Sequence, residues 1–281
     1  MAISGAIKFF NKSKTLFADG VIIAASPSGD ASASRAIDKN TVTYWRSVMS
    51  DDTITESLEI TLTSNQIIDR ILLLDHNWKQ FTVMYWSGAA YVNFTGVVGI
   101  DGALGGGISE TVFSDDTAYY EVIPVTTNKI LITILKTQTA NEEKYINQII
   151  ATEEFGTLSG YPIIRNTTID RNSRRKEMLS GKILLQKSEE AFQVELNFNR
   201  YPASLSSDVD LIFGLHDIEE NFLVWLCGGK RGANYFTKQM RGYRLRDVFC
   251  VQMTAAIKPI YSDNIYKNTL NFSAKLEEAV D

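Results

Sequence analysis

The chain has 281 residues, 44% hydrophobic and 22% charged, the composition of a soluble globular protein with room for two domains of ordinary size. Its net charge of −5 is uneven: eleven basic against eighteen acidic residues give −7 over residues 1–155, and seventeen against fifteen give +2 over residues 156–281. An acidic front half argues against a nucleic-acid binder, and no apolar run approaches the roughly 20 residues that span a bilayer; two cysteines and two histidines cannot build a disulfide framework or a histidine-rich metal centre.

Residues 1–19 carry Ile3, Ile7, Phe9, Phe10, Leu16 and Phe17 without a sustained period and read as an N-terminal arm. They lack the continuous apolar stretch of a secretory signal. Next comes Ala31 to Ser47, ASASRAIDKNTVTYWRS, a turn around Asp38, Lys39 and Asn40 that leads into the aromatic pair Tyr44 and Trp45. Asp38, Asn40 and Thr43 place three short oxygen ligands within one turn, which suits a hard cation such as calcium or a self-capped turn, and the turn is the commoner use.

From Gly20 onward the signal is β. Leu58, Ile60 and Leu62 alternate with Glu59, Thr61 and Thr63, as in a strand with one buried face. The nearly continuous apolar run from Ile67 to Leu74 predicts a strand buried on both faces. Phe81, Val83 and Tyr85 alternate again, and Ser87-Gly88 marks a turn into Tyr91 to Phe94. Gly99 to Gly107 is a glycine-rich loop. Tyr119 to Val125, Ile130 to Leu135 and Tyr145 to Ala151 complete a set of short strands with no amphipathic helix among them, the pattern of a sandwich or jelly roll.

Four landmarks in order, SASRAIDKNTVTYWRS, ESLEITLTSNQIIDRILL, WKQFTVMYWSGAAYV and YINQIIATEEFG, resemble those of discoidin-like (coagulation-factor type C) domains of the galactose-binding-like superfamily. The resemblance covers about residues 20–156. It implies an eight-stranded jelly roll that binds glycans, lipids or proteins through loops at one end. It also implies a calcium loop at Asp38, Asn40 and Thr43, with two departures. Gln148 stands where the family usually adds a glutamate, and Ser57 where a tryptophan often precedes the Leu-x-Ile strand. Losing that carboxylate weakens a cation site, since calcium affinity follows ligand charge. His76, Asn77 and Trp78, in a turn between two strands, are the candidate glycan-binding residues: two hydrogen-bonding side chains and an aromatic face. The alternative is that Trp78 packs on the sandwich rim.

Thr157 to Pro162, TLSGYP, reads as a linker, so that residues 20–156 form the sandwich and residues 163–281 a second, β-rich α+β domain. Phe192, Val194, Leu196 and Phe198 alternate strictly with polar residues, as do Leu270, Phe272, Ala274 and Leu276. Phe222 to Leu226, Tyr235 to Met240 and Val248 to Met253 are further strands. One helix is predicted over Ser206 to Ile218, with Val209, Ile212, Phe213 and His216 on one face. Cys227 to Gly232, CGGKRG, lacks the glycine spacing and Lys-Ser/Thr pair of a phosphate loop and reads as a hairpin tip.

Two arginine-rich runs, Arg171, Arg174 and Arg175, then Arg241, Arg244 and Arg246, are candidate assembly interfaces, because the planar guanidinium pairs bidentately with carboxylates. No catalytic constellation stands out, so the chain reads as non-enzymatic, needing no cofactor apart from the calcium the turn would take. A domain type usually displayed outside cells, on a chain with no signal peptide and no disulfide pair in that domain, points to a particle assembled in the host cytoplasm and later exposed. The expectation is a virion structural protein of a bacteriophage tail or baseplate, a homo-oligomer partnered by itself, other virion proteins and host-surface glycans. A free-standing lectin-like protein and a capsid decoration protein are the alternatives.

Overall fold

The computed structural model describes residues 6–11, 15, 21–26, 33–38, 43–99, 102–103 and 106–158, and after residue 158 the strands and helix named below. The described residues are mainly β, with antiparallel sheets in a sandwich-like arrangement and one short α-helix among them, as the alternation in the sequence leads one to expect. The chain divides into two compact units, Met1–Phe155 with Trp225–Val248, and Gly156–Val224 with Phe249–Asp281.

In the first unit the strands are β1 (Ala6–Phe10), β2 (Ile22–Ser26), β3 (Trp45–Arg46), β4 (Glu56–His76), β5 (Trp78–Trp86), β6 (Tyr91–Asn93), β7 (Val98–Gly99), β8 (Gly102–Ala103), β9 (Ile108–Glu110), β10 (Ala118–Thr137) and β11 (Tyr145–Thr152), with β12 (Glu154–Thr157) following. A 3₁₀ turn, Ala33–Ile37, precedes β3.

Two long strands organise the sandwich. The first half of β4 pairs with β2 and with Lys129–Ile134 of β10, which continues to β5. Its second half pairs with β11 and with Ala118–Glu121 of β10, which continues to β7. Between these halves β10 shifts register twice, after Glu121 and after Thr127. Opposite, Thr63, Ser64 and Asn65 of β4 are exposed. Each long strand thus serves both layers, bending where its polar residues face water. The two separate strands read at Tyr119–Val125 and Ile130–Leu135 are halves of one. β-bulges bend and twist a strand without ending it, which hides the continuity from a local reading.

Leu58, Ile60, Phe81, Val83, Ile132 and Ile134 of one layer pack with Ile71, Leu73, Tyr120 and Ile149 of the other in a single buried core. The second layer is buried outside as well, since Leu72, Leu74, Tyr119 and Ile150 are each at most 4% exposed. That confirms the run read as buried on both faces as far as Ile71 to Leu74, while Ile67 at its start is exposed.

The covering comes from the segment expected to be an arm. Its Ala6–Phe10 is a strand with Ile7, Phe9 and Phe10 buried, and the Tyr119 ring lies against Phe10 and against Trp225 of the same unit. Thr15 Oγ1 donates to Ile149 O, and Thr152 Oγ1 donates to Asn11 O. Lys8 pairs with Glu121 at 2.8 Å, and Arg70 with Glu154. Burial alone would raise the Glu121 carboxyl, yet the Lys8 ammonium and its hydrogen bond hold it below the usual glutamate value.

The second unit contains β13 (Ile163–Asp170), β14 (Arg174–Glu177), β15 (Ile183–Gln186), β16 (Glu190–Pro202), α1 (Ser206–His216), β18 (Val248–Met253), β19 (Ile260–Tyr261) and β20 (Thr269–Glu278), with β17 (Phe222–Gly228) between α1 and β18. The alternating segments pair with each other, Val194 opposite Leu276 and Phe198 opposite Phe272, and β13 lies on the other side of β16. Of the helix, Asp208, Ile212 and Leu215 are buried and Phe213 is half-buried, so Ile212 is buried as expected, while the side chains of Val209 and His216 lie outside the described residues. The helix also comes so close to Gly156 that a Cβ there would meet Leu211 Cδ1 at 2.5 Å. The strand expected at Tyr235 to Met240 lies outside the described residues, as does the tip of the CGGKRG hairpin from residue 229.

Candidate functional site

At one end of the sandwich, one residue before the end of β4, Asp75 adopts a left-handed backbone with φ of 51°, a conformation asparagine and aspartate tolerate better than most residues. The chain therefore turns sharply into β5, carrying His76, Asn77 and Trp78 inward. The three are 1%, 5% and 0% exposed. Trp78 and Phe81 lie against the imidazole, and Phe113 stacks on it with centroids 5.4 Å apart. This corrects the expectation that the trio binds a glycan: neither the indole face nor the imidazole is open to a ligand.

Their role is internal. His76 Nδ1 accepts the Trp78 backbone N–H, and burial pushes the imidazole down to about 3, so it stays neutral. Asn77 Nδ2 donates to Glu143 O at 2.8 Å, and its Oδ1 accepts from Tyr145 N at 3.0 Å. That one amide fastens the β4–β5 turn to the loop before β11.

A second set of bonds ties in the loop after β3. Asp52 Oδ1 accepts from Thr137 N and Oγ1, and its Oδ2 accepts from Asn141 N. Burial works against this carboxylate, but those donors hold its pKa below the usual value. Lys144 is completely buried and its Nζ donates to Asp51 O at 2.9 Å. Near it the buried Glu56 carboxyl is raised by desolvation, with the Lys144 charge opposing the shift.

On this braced end sits a platform. Tyr44 and Tyr145 meet edge to face, centroids 5.7 Å apart at 87°. The Arg46 guanidinium lies over both rings, 5.7 Å and 5.3 Å from their centroids, within cation–π range. Both tyrosines are half-buried and Arg46 is exposed. Tyr44 Oη donates to Asp75 Oδ2 at 2.5 Å, and Arg46 lies 3.6 Å from a Glu143 carboxylate oxygen. Burial, then the charges of Asp75 and Glu142, raise the Tyr145 phenol, so it remains a neutral donor. Exposed Val48 and Met49 follow on the same loop.

The platform offers aromatic faces for apolar C–H surfaces, guanidinium donors for hydroxyls and carboxylate acceptors at the rim. The register of β3 on β11, with Tyr145 opposite Arg46, brings together residues a hundred positions apart. In the sequence Tyr44 stands out only as the neighbour of Trp45, and neither Arg46 nor Tyr145 stands out as a site residue. The pattern Tyr-Trp-Arg with its middle ring buried was the available signal: alternation along β3 turns Tyr44 and Arg46 to the side opposite Trp45.

The candidate cation turn is placed otherwise than a metal requires. Asp38 Oδ2 accepts from Thr43 Oγ1 at 2.7 Å, and Asp38 Oδ1 accepts from Gln148 Nε2 at 3.1 Å. Gln148 Nε2 also lies 3.4 Å from Arg35 O, and Asn147 Nδ2 donates to Thr43 O at 2.6 Å. Amide N–H groups thus occupy the oxygens a cation would need, and the described donors do not fit calcium. Asn40 lies outside the described residues.

Of the six arginines expected at an assembly interface, Arg174 and Arg175 are on β14, opposite Gln186 and Leu185 of β15. Arg171, Arg241, Arg244 and Arg246 lie outside the described residues.

No protein-family model matches the chain, and no curated protein matches it. Among solved structures it is similar to chitosan-binding module 1 from a chitosanase/glucanase of Paenibacillus sp. IK-5, with 14% identity over 50% of this chain and 98% of that one and a TM-score of 0.39. It is also similar to a Clostridium perfringens module in complex with GalNAc-β-1,3-galactose, with 11% identity over 50% and 99% and a TM-score of 0.37. A pectin-binding carbohydrate binding module aligns with 18% identity over 46% and 88% and a TM-score of 0.34.

Proposed function

We propose that the first unit is a non-enzymatic glycan-binding module that takes its ligand at the loop end, over Tyr44, Arg46 and Tyr145. The observation that carries this reading is the platform itself: two half-buried phenol rings at right angles, a guanidinium across both, and carboxylates at the rim. A sugar presents an apolar C–H face ringed by hydroxyls, and a site with aromatic faces and a few fixed polar groups is complementary to both. The bonds of Asn77 and Asp52 hold the loops beneath it in place, which lowers the ordering cost of binding. The test is a glycan array with the full chain, followed by titration calorimetry on any hit. Tyr145→Ala and Arg46→Ala should each weaken binding about tenfold or more, equivalent to about 1.4 kcal/mol. Absence of any arrayed ligand, or affinity untouched by both variants, refutes the proposal.

The second unit, in this reading, holds the module in a virion of bacteriophage tail or baseplate type, assembled in the host cytoplasm from several copies of the chain. Supporting it is the β14–β15 ribbon, which among the described residues pairs with no other strand and carries Arg174 and Arg175. A lone two-stranded ribbon is marginal in water, so it gains most by seating on a partner. Light scattering separates this from a free-standing lectin. A ring or larger assembly supports the virion part, and a monodisperse monomer that binds sugar removes it.

A further inference from the structure

We propose that the side-chain amide of Gln148 does the work of a bound cation at the turn after Ala33–Ile37, which makes this turn independent of calcium. The turn gathers oxygen atoms that need positive partners: the Arg35 carbonyl, the Asp38 carboxylate and the Thr43 carbonyl. Gln148 and Asn147, adjacent on β11 and 2% and 1% exposed, supply those partners as amide N–H groups. Gln148 Nε2 reaches Asp38 Oδ1 and lies 3.4 Å from Arg35 O, while Asn147 Nδ2 takes Thr43 O. One NH2 group with two donors bridges two oxygens, as a metal ion would, without the cost of stripping water from a divalent cation. Thr43 Oγ1 satisfies the other Asp38 oxygen. Among the described residues these amide hydrogen bonds pin the turn to β11 across more than a hundred residues of chain.

The same geometry says what a single atom change would do. Glutamate at position 148 would set a second carboxylate about 3 Å from that of Asp38, and two such charges in contact repel unless a cation lies between them. Gln148→Glu therefore converts a cation-free turn into a cation-dependent one.

The experiment follows thermal unfolding of the full chain by scanning calorimetry, in about 5 mM calcium chloride and in EDTA, a concentration above that needed by weak extracellular calcium modules. The wild type is expected to melt at the same temperature in both. Gln148→Glu is expected to melt lower than wild type in EDTA and to recover by about 3 °C or more in calcium, with a saturable dependence on its concentration. Gln148→Met, which keeps length and volume but removes the donors, is expected to melt lower than wild type by the same amount in both buffers. A saturable rise of the wild-type melting temperature with calcium overturns the proposal. So does a Gln148→Met variant as stable as wild type, or a folded Gln148→Glu variant indifferent to calcium. Should Gln148→Glu fail to fold in either buffer, the wild type and the methionine variant still decide the matter.

Discussion

Replacing His76 by phenylalanine tests the burial argument on which the loop end depends. The imidazole is 1% exposed among Trp78, Phe81 and Phe113, and burial lowers its pKa to about 3, whereas a histidine in the unfolded chain titrates near 6.5. Its folded value is depressed, so the unfolded chain binds the proton more readily, and the stability from the neutral ring is complete above about pH 6.5 and lost as pH falls towards 3. Each unit of pH in that window removes about 1.4 kcal/mol, so lowering the pH from about 7.5 to about 5 removes about 2 kcal/mol. For a unit of this size that is a drop of about 4–8 °C in the apparent melting temperature. Phenylalanine fills the same aromatic cage and cannot titrate. It gives up the bond from Trp78 N, at about 1 kcal/mol independent of pH. The assay is calorimetry of wild type and His76→Phe at both pH values. The raised carboxyls of Glu56 and Asp69 and the second histidine, His216, are common to both proteins and cancel in the difference. The variant should be the less stable at the higher pH and lose much less on acidification. Parallel loss in the two proteins would refute the reasoning.

Asn77→Ala strips the buried clamp, leaving Glu143 O and Tyr145 N without that partner, and should cost about 2–4 kcal/mol in chemical denaturation; a loss below about 0.5 kcal/mol would show that the amide is not the clamp. Reversing charge in Arg174→Glu with Arg175→Glu should shift the sedimentation coefficient towards the single chain if the β14–β15 ribbon seats on a neighbouring copy, and unchanged sedimentation removes that interface. The weakened glycan binding of Tyr145→Ala and Arg46→Ala, and the calcium response of Gln148→Glu, complete the set.

Local structure is legible in the amino-acid pattern alone. The period-two runs around Leu58 and Phe81 become strands because alternation buries one face of an extended chain, and those around Val194 and Phe272 become strands that pair with each other. Ser87-Gly88 becomes the β5–β6 turn, Gly88 taking a φ of 98° that side chains rarely adopt and Ser87 N bonding to Ala90 O. The role of a polar or aromatic side chain, by contrast, depends on its partner, and partners are chosen by register between strands far apart in sequence. His76, Asn77 and Trp78 have the chemistry of a sugar site and the position of a core, because the left-handed turn at Asp75 aims them inward. Tyr44, Arg46 and Tyr145 become a surface only when β3 lies on β11. Gln148 looks in sequence like a carboxylate lost from a metal loop. Only the tertiary structure shows its amide between Asp38 and the Arg35 carbonyl, because packing of β11 against the Ala33–Ile37 turn joins residues far apart in sequence.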